Sequence, residues 1–154
     1  MEQNKKQFRI LSSFSAFIVF TAISSSALAA ATSKVITLST KGDELAFNLA
    51  KLSAKPGQMI KLTFTNKANK TSGMSHNFVL AQPGTETDVA NQGMAAGAEK
   101  GWIAEGPNVV AHTKLLNAGE SDTISFVAPK AGEYPYFCSF PGHSALMKGV
   151  LSIK

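Results

Sequence analysis

The sequence contains almost no cysteine: Cys138 is the only one among 154 residues. No internal disulfide can therefore form, although exported proteins usually use cysteines in pairs. The chain also lacks a basic block, because its lysines are scattered singly from Lys34 to Lys154. This argues against a nucleic-acid partner. The longest apolar run, residues 10–23, is broken by serines and is shorter than the ~20 residues of a membrane-spanning helix.

The N-terminus has the pattern of a secretory signal. Basic residues between Lys5 and Arg9 precede the apolar run, and small residues ending in Ala27-Leu28-Ala29 follow it. We expect cleavage after Ala29, which leaves a single domain of 125 residues, 30–154. Twelve basic and nine acidic residues remain, so its net charge is +3. An uncleaved membrane anchor is the alternative interpretation.

Short alternating segments separated by Pro, Gly, Asn and Asp dominate the remainder of the chain. The stretch Met59–Asn66 alternates strictly, which is typical of a half-buried strand. Residues 85–101 differ: they are rich in alanine, Thr85 is expected to be a helix N-cap, and three glycines predict that the helix is short or broken. The chain is predicted to be all-β, a Greek-key sandwich or barrel of about eight strands with one short helical insertion. The predicted strands cover residues 35–38, 45–49, 59–66, 76–81, 109–116, 121–128, 133–138 and 149–153.

Three side chains that bind soft metals lie within ten residues of one another: Cys138, His143 and Met147. Pro141-Gly142 predicts a turn before His143, and one helical turn after it would place His143 and Met147 on the same side. A second imidazole is missing from this loop, and His76 is the best candidate. Two histidines, one cysteine and a weak axial methionine are the ligands of trigonal copper sites in electron-transfer proteins.

The ligand loop CSFPGHSALMKG at 138–149 resembles that of the azurins, small periplasmic blue-copper proteins within the cupredoxin family. Three other segments resemble azurins in the same order along the chain: M-x-HN-x-VL at 74–80, GMA at 93–95 and AHTKLL at 111–116. The resemblance extends over about residues 33–154. It implies a cupredoxin-like fold and one copper ion that cycles between Cu(I) and Cu(II).

The resemblance also implies roles for individual residues near the copper ion. His76, Cys138 and His143 would be equatorial ligands and Met147 an axial one. The carbonyl of Ser75 would make a distant axial contact, although azurins have glycine at this position and a disulfide that this chain lacks. Two further residues are expected around these ligands: Asn77, tying the His76 strand to the cysteine loop, and Phe140, near which backbone N–H groups would donate to the Cys138 sulfur.

An apolar docking patch around His143 follows from the same resemblance. Its expected members are Met74, Met94, Phe140, Pro141, Gly142 and Ala145. Such a small patch predicts weak, brief encounters with redox proteins of the cytochrome or copper oxidoreductase type. The expected protein is a periplasmic, monomeric electron carrier, not an enzyme, without stable membrane insertion once the signal is removed.

Other functions remain open on the residues alone. A copper chaperone or storage protein would use the same metal, although such proteins tend to carry several Met or Cys ligands in exposed loops. An enzyme could use Cys138 as nucleophile and His143 as its base, but the loop offers no evident orienting acid. A Cys-His-His set also accepts Zn²⁺ readily.

Overall fold

The computed structural model describes residues 33–154. The predicted signal of residues 1–29 and its cleavage site lie outside the described residues. Within residues 33–154, no helix is long and apolar enough to cross a membrane.

Nine strands and one α-helix make up the regular structure of these residues. Two 3-10 turns accompany them, at Lys70–Ser72 and Ala98–Lys100. The elements in chain order are β1 (Lys34–Lys41), β2 (Glu44–Phe47), β3 (Lys51–Ala54), β4 (Met59–Thr65), β5 (Val79–Ala81), α1 (Glu86–Ala96), β6 (Val109–His112), β7 (Ser121–Val127), β8 (Gly132–Phe137) and β9 (Lys148–Ile153).

The strands form two sheets, with the orders β2-β1-β4-β7 and β3-β9-β8-β5-β6. The pairs β1/β4 and β3/β9 are parallel, and the other neighbours are antiparallel. Each sheet has two edge strands and neither closes on itself. The all-β prediction is therefore confirmed in its sandwich form and not as a closed barrel.

Alternating side chains of both sheets fill the space between them. In β4, Ile60, Leu62 and Phe64 are fully buried while the residues between them face outward. Tyr134 and Tyr136 of β8 contribute from the opposite sheet and belong to the same apolar cluster. Alternation of this kind is what a strand with one buried face requires.

Helix α1 covers the outer face of the second sheet. Val89 of the helix packs with Val79, Ala81 and Phe137, which point away from the central core. Thr85 precedes the helix as predicted, but its hydroxyl donates to the carbonyl of Gln82 and makes no capping bond. Thr85 is therefore the N-cap residue that the sequence predicted, although its side chain bonds the preceding turn instead of the helix N-terminus.

Strand boundaries differ from the predictions around His76, after His112 and at β3. The predicted strand 76–81 is regular only over Val79–Ala81, and His76 instead forms an isolated bridge with Leu116. The strand predicted to run to Leu116 ends at His112, after which the Thr113 hydroxyl bonds the N–H of Phe78. Strand β3 was not predicted, because only four residues pair there.

Candidate metal centre

The loop between β8 and β9 carries Cys138, His143 and Met147. Cys138 directly follows β8, and its N–H donates to the carbonyl of Met147 at 3.0 Å, which closes the loop. Gly142 adopts φ 80°, a left-handed conformation that glycine takes without steric cost, and it turns the chain before His143. The N–H of Met147 then donates to the carbonyl of His143 at 2.8 Å, forming the single helical turn expected there.

His76 reaches the same end of the sandwich from a separate segment. Its N–H donates to the carbonyl of Leu116 at 3.0 Å, and the N–H of Leu116 donates back at 2.8 Å. The buried side chain of Asn66 supports this bridge, because its Nδ2 donates to the carbonyls of Leu116 and Met74 at 3.0 and 2.9 Å. Sequence reasoning missed Asn66, which stands at the end of an alternating strand with no local sign of its inward orientation.

The two segments bring one sulfur and two imidazole nitrogens together. Cys138 Sγ lies 3.8 Å from His76 Nδ1 and 3.6 Å from His143 Nδ1. One donor atom from each residue lies within 4.8 Å of the other two. Cys138, His76 and Met147 are fully buried, whereas His143 is partly exposed. One imidazole edge thus connects an enclosed cluster to the surface.

Burial sets the protonation of this cluster. It lowers the pKa of His76 to about 4, with a further lowering from the nearby His143, and it lowers the pKa of His143 as well. Burial raises the pKa of the Cys138 thiol to about 11, although backbone N–H groups of Asn77 and Phe140 hydrogen bond the sulfur and oppose this shift. At neutral pH both imidazoles are therefore neutral and have a lone pair free.

This donor set fits a soft or borderline transition-metal ion. Neutral imidazoles and a thiolate bind copper and zinc, and binding releases the thiol proton. Nε2 of His76 is buried and has no hydrogen-bond partner among residues 33–154. It must carry the ring proton when Nδ1 binds a metal, so this ring lacks the second hydrogen bond that usually raises the basicity of a ligand imidazole.

Asn77 and Ser139 join the two ligand-bearing segments by a reciprocal pair of bonds. The N–H of Ser139 donates to Asn77 Oδ1 at 2.8 Å, and Asn77 Nδ2 donates to Ser139 Oγ at 2.8 Å. Both residues are buried. The sequence pointed to Asn77, but Ser139 and the backbone N–H of Asn77 itself were missed because they act only once the two segments meet.

Ser75 adopts an ordinary negative φ, since Trp102 is the sole non-glycine residue with positive φ in the range 33–154. A glycine is therefore not required at this position. The Ser75 hydroxyl also donates to Asn117 Oδ1 at 2.9 Å, which ties the residue before His76 to the loop after β6.

The residues expected to form a docking patch differ in exposure. Gly142 and Ala145 are exposed, whereas Pro141, Phe140 and Met74 are half-buried. The Phe140 and His143 rings lie 4.6 Å apart. Met94 on α1, the remaining expected member, is 51% exposed. Leu146 of the ligand loop, which sequence reasoning missed, is 69% exposed.

Comparison with protein families gives one matching family model, that of copper-binding proteins of the plastocyanin/azurin family. The match covers residues 34–154, which is nearly all of the chain that the structure describes.

Several individual proteins are similar in sequence. The chain is 40% identical over 124 residues to azurin-1 of Alcaligenes xylosoxydans xylosoxydans, which covers 78% of this chain and 85% of that protein. It is 46% identical over 85 residues to the azurin of Pseudomonas fluorescens biotype C, with 53% of this chain and 66% of that azurin covered. Auracyanin-A of Chloroflexus aurantiacus is 35% identical over 121 residues, covering 77% and 73% of the two chains.

Solved structures agree with these sequence matches. Auracyanin A of Chloroflexus aurantiacus, a "blue" copper protein, superposes with a TM-score of 0.74 and 33% identity, over 80% of this chain and 100% of that one. An azurin of Methylomonas sp. strain J superposes with a TM-score of 0.71 and 30% identity, over 79% and 98%.

Proposed function

The chain belongs to the plastocyanin/azurin family of copper-binding proteins, and from this premise we propose that it carries single electrons between redox proteins in the periplasm. The family comprises blue-copper cupredoxins and is known for electron transfer. Its cofactor is copper, and His76, Cys138, His143 and Met147 are arranged in this chain as a copper site.

His76, Cys138 and His143 are proposed as the equatorial ligands. The observation that carries this proposal is the approach of their donor atoms to within 4.8 Å of one another, in a site enclosed by the sandwich. Met147 is proposed as the axial ligand because it is fully buried in the same closed loop. Copper, when bound, supplies the one-electron couple Cu(II)/Cu(I).

The contribution of the chain is to hold the ligands in one geometry during electron transfer. Two backbone bonds close the Cys138–Met147 loop, and two more fix His76 to Leu116. None of these four bonds uses a ligand atom, so all can persist in either oxidation state. A site held in this way needs little rearrangement when the electron moves, which favours rapid transfer.

The hydrogen bonds on the Cys138 sulfur are proposed to tune the reduction potential. The backbone N–H groups of Asn77 and Phe140 both point at this sulfur. They withdraw electron density from the thiolate and so favour the reduced site. Ser75 is proposed to offer its carbonyl as a distant axial contact, with its side chain anchored on Asn117.

Electrons are proposed to cross at His143, the one partly exposed imidazole of the cluster. The apolar surface beside it comprises Met74, Met94, Phe140, Pro141, Gly142, Ala145 and Leu146. This surface suits a redox protein that presents an apolar rim around its own haem or copper group. A small apolar contact of this kind favours brief encounters of a monomer rather than a stable complex.

Export to the periplasm is proposed from the signal-like pattern of residues 1–29. The exported product would then be residues 30–154, one copper-binding domain. N-terminal sequencing of the protein recovered from the cell envelope should give Ala30 as the first residue.

Copper loading of the exported protein tests the proposed function. We expect Cu(II) to give an intense blue colour through bonding to the Cys138 thiolate, and a redox titration to show one reversible one-electron step. His112→Gln serves as control, because His112 lies on β6 outside the cluster, and it should stay blue. A colourless copper protein, or tight Zn²⁺ binding without any reversible copper couple, would contradict electron transfer and favour metal storage.

A further inference from the structure

The turn that follows the Ala98–Lys100 segment has an unusual backbone. Gly101 and Trp102 adopt φ 61° and 60° in succession, and Trp102 is a bulky residue in the left-handed region. Such a conformation is rare for a large side chain and persists only where its surroundings impose it. Neither residue belongs to the ligand set, so the conformation calls for another explanation.

The carbonyls of this turn accept hydrogen bonds from the two residues that link the ligand segments. Ser139 Oγ donates to the Trp102 carbonyl at 2.5 Å, and Asn77 Nδ2 approaches the Gly101 carbonyl at 3.3 Å. Because Ser139 Oγ accepts from Asn77 Nδ2, its own proton is free to go to Trp102. The bonds therefore run in one direction, from Asn77 through Ser139 to Trp102.

Helix α1 fixes the other side of the Trp102 carbonyl. A Cβ placed on Gly93 would lie 2.4 Å from that carbonyl oxygen, so the helix approaches the turn as closely as a residue without a side chain allows. The Trp102 ring also packs edge-on against Phe140, with centroids 6.1 Å apart. The turn is thus held between α1 and the cysteine loop.

We propose that the Gly101–Trp102 turn is a positioning element for the Cys138 sulfur, set in place by α1 through Gly93. The N–H groups on this sulfur belong to Asn77, whose side chain the turn holds, and to Phe140, which follows Ser139. A displaced Trp102 carbonyl would release Ser139 and, through it, Asn77. The sulfur would then lose part of its hydrogen bonding and donate more strongly, which favours Cu(II) and lowers the reduction potential.

Two measurements test this proposal, and the first, the reduction potential, rests on the proposed copper site. Gly93→Ala should force the Trp102 carbonyl away, and Ser139→Ala removes the hydroxyl that it holds. Each variant should shift the one-electron equilibrium towards Cu(II) by up to about tenfold, which is about 59 mV for one electron.

Two further variants distinguish displacement of the Trp102 carbonyl from a weakened α1 and from loss of the indole ring. Ala95→Gly weakens α1 at an exposed position, and it should leave the potential unchanged. Trp102→Gly removes the ring but keeps the carbonyl, because glycine adopts φ 60° readily, and it should shift the potential less than Gly93→Ala does. A Gly93→Ala potential equal to that of Ala95→Gly would overturn the proposal.

The second readout needs no copper. In the metal-free protein, the amide resonances of Asn77 and Phe140 should move in Gly93→Ala and Ser139→Ala but not in Ala95→Gly. Unmoved resonances would refute the positioning role even if the protein carried no copper couple at all. Conversely, moved resonances in a protein that stays colourless would support the turn while contradicting electron transfer, so the two proposals fail separately.

Discussion

The cysteine loop and the His76 segment supply ligands to one centre, but they are held in different ways. The loop from Cys138 to Met147 is short and closes on itself through the Cys138–Met147 backbone bond. His76 stands outside any regular strand, and its position depends on Leu116, which is distant in sequence, and on Asn66, whose carboxamide bonds the Leu116 carbonyl. The geometry of the loop is local, whereas that of His76 exists only when the sandwich is assembled.

This difference predicts that the two regions respond differently when the packing of the sandwich weakens. The loop should bring a thiolate, an imidazole and a thioether near one another even in a loosened protein. The fourth donor should be lost first when packing weakens, because loop-to-loop hydrogen bonds replace sheet pairing around His76. Substitutions confined to one region can therefore test whether the two regions are held independently.

Replacing the central ligand of the loop should have the largest effect. Cys138→Ser substitutes a hydroxyl for the thiol, so the bonding that gives the blue colour disappears entirely. The apoprotein should still fold, since the change is small and the Cys138 backbone bond to Met147 is retained. Absorption after Cu(II) addition and the circular dichroism of the apoprotein measure the two effects. Persistent blue colour would show that the thiolate is not the ligand.

Removing the metal should have the next largest effect. Binding to the native state at a thousandfold excess over Kd raises the free energy of unfolding by ~4 kcal/mol. Hydrogen exchange should show where it acts: in the apoprotein, the amides of His76 and Leu116 should lose more protection than those of Cys138 and Met147. Apo and holo forms that melt at the same temperature would argue against a site in the folded protein.

Asn66 offers a way to loosen the His76 segment alone. Asn66→Ala removes a buried carboxamide that bonds two carbonyls and the N–H of Ala68, and it should cost roughly 1–3 kcal/mol of unfolding free energy. Copper should dissociate faster, because His76 is less firmly placed.

Asn48→Ala is the matched control for this change. Asn48 also bonds a backbone group across a turn, the N–H of Ser39, but it does so between β1 and β2. Urea unfolding and the rate of copper transfer to a chelator should separate the variants. Equal rates of copper transfer from Asn66→Ala and Asn48→Ala to the chelator would mean that Asn66 does not position His76.

The same contrast explains what the sequence could predict. The spacing of Cys138, His143 and Met147 reveals the loop because local turns bring those residues together. The alternation of β4 reveals a strand because one face is buried. The roles of Asn66, Ser139 and Trp102 could not be predicted, because each acts through a partner that only tertiary packing supplies.

The smaller differences between the predicted and the observed elements have similar causes. The predicted strand around His76 is cut short because loop bonds replace sheet pairing there. Strand β3 was not predicted because four residues of a parallel edge strand carry little periodicity, although Leu52 and Ala54 are buried. The Thr85 hydroxyl had two possible partners, and sequence alone does not decide between the helix N-terminus and the carbonyl of Gln82.

The smallest effect is expected from the axial position of the loop. Met147→Leu nearly conserves volume and should cost less than about 1.5 kcal/mol of unfolding free energy. The Cys138–Met147 backbone bond does not involve the side chain, so the loop should stay closed and the protein blue. Loss of the weak thioether donor destabilises Cu(II), and the reduction potential should rise. Voltammetry measures this shift, with Met94→Leu at an exposed position of α1 as a control that should leave the potential unchanged. If Met147→Leu also left it unchanged, the methionine would contribute to the loop through its backbone and packing alone, and the cysteine loop would supply two ligands rather than three.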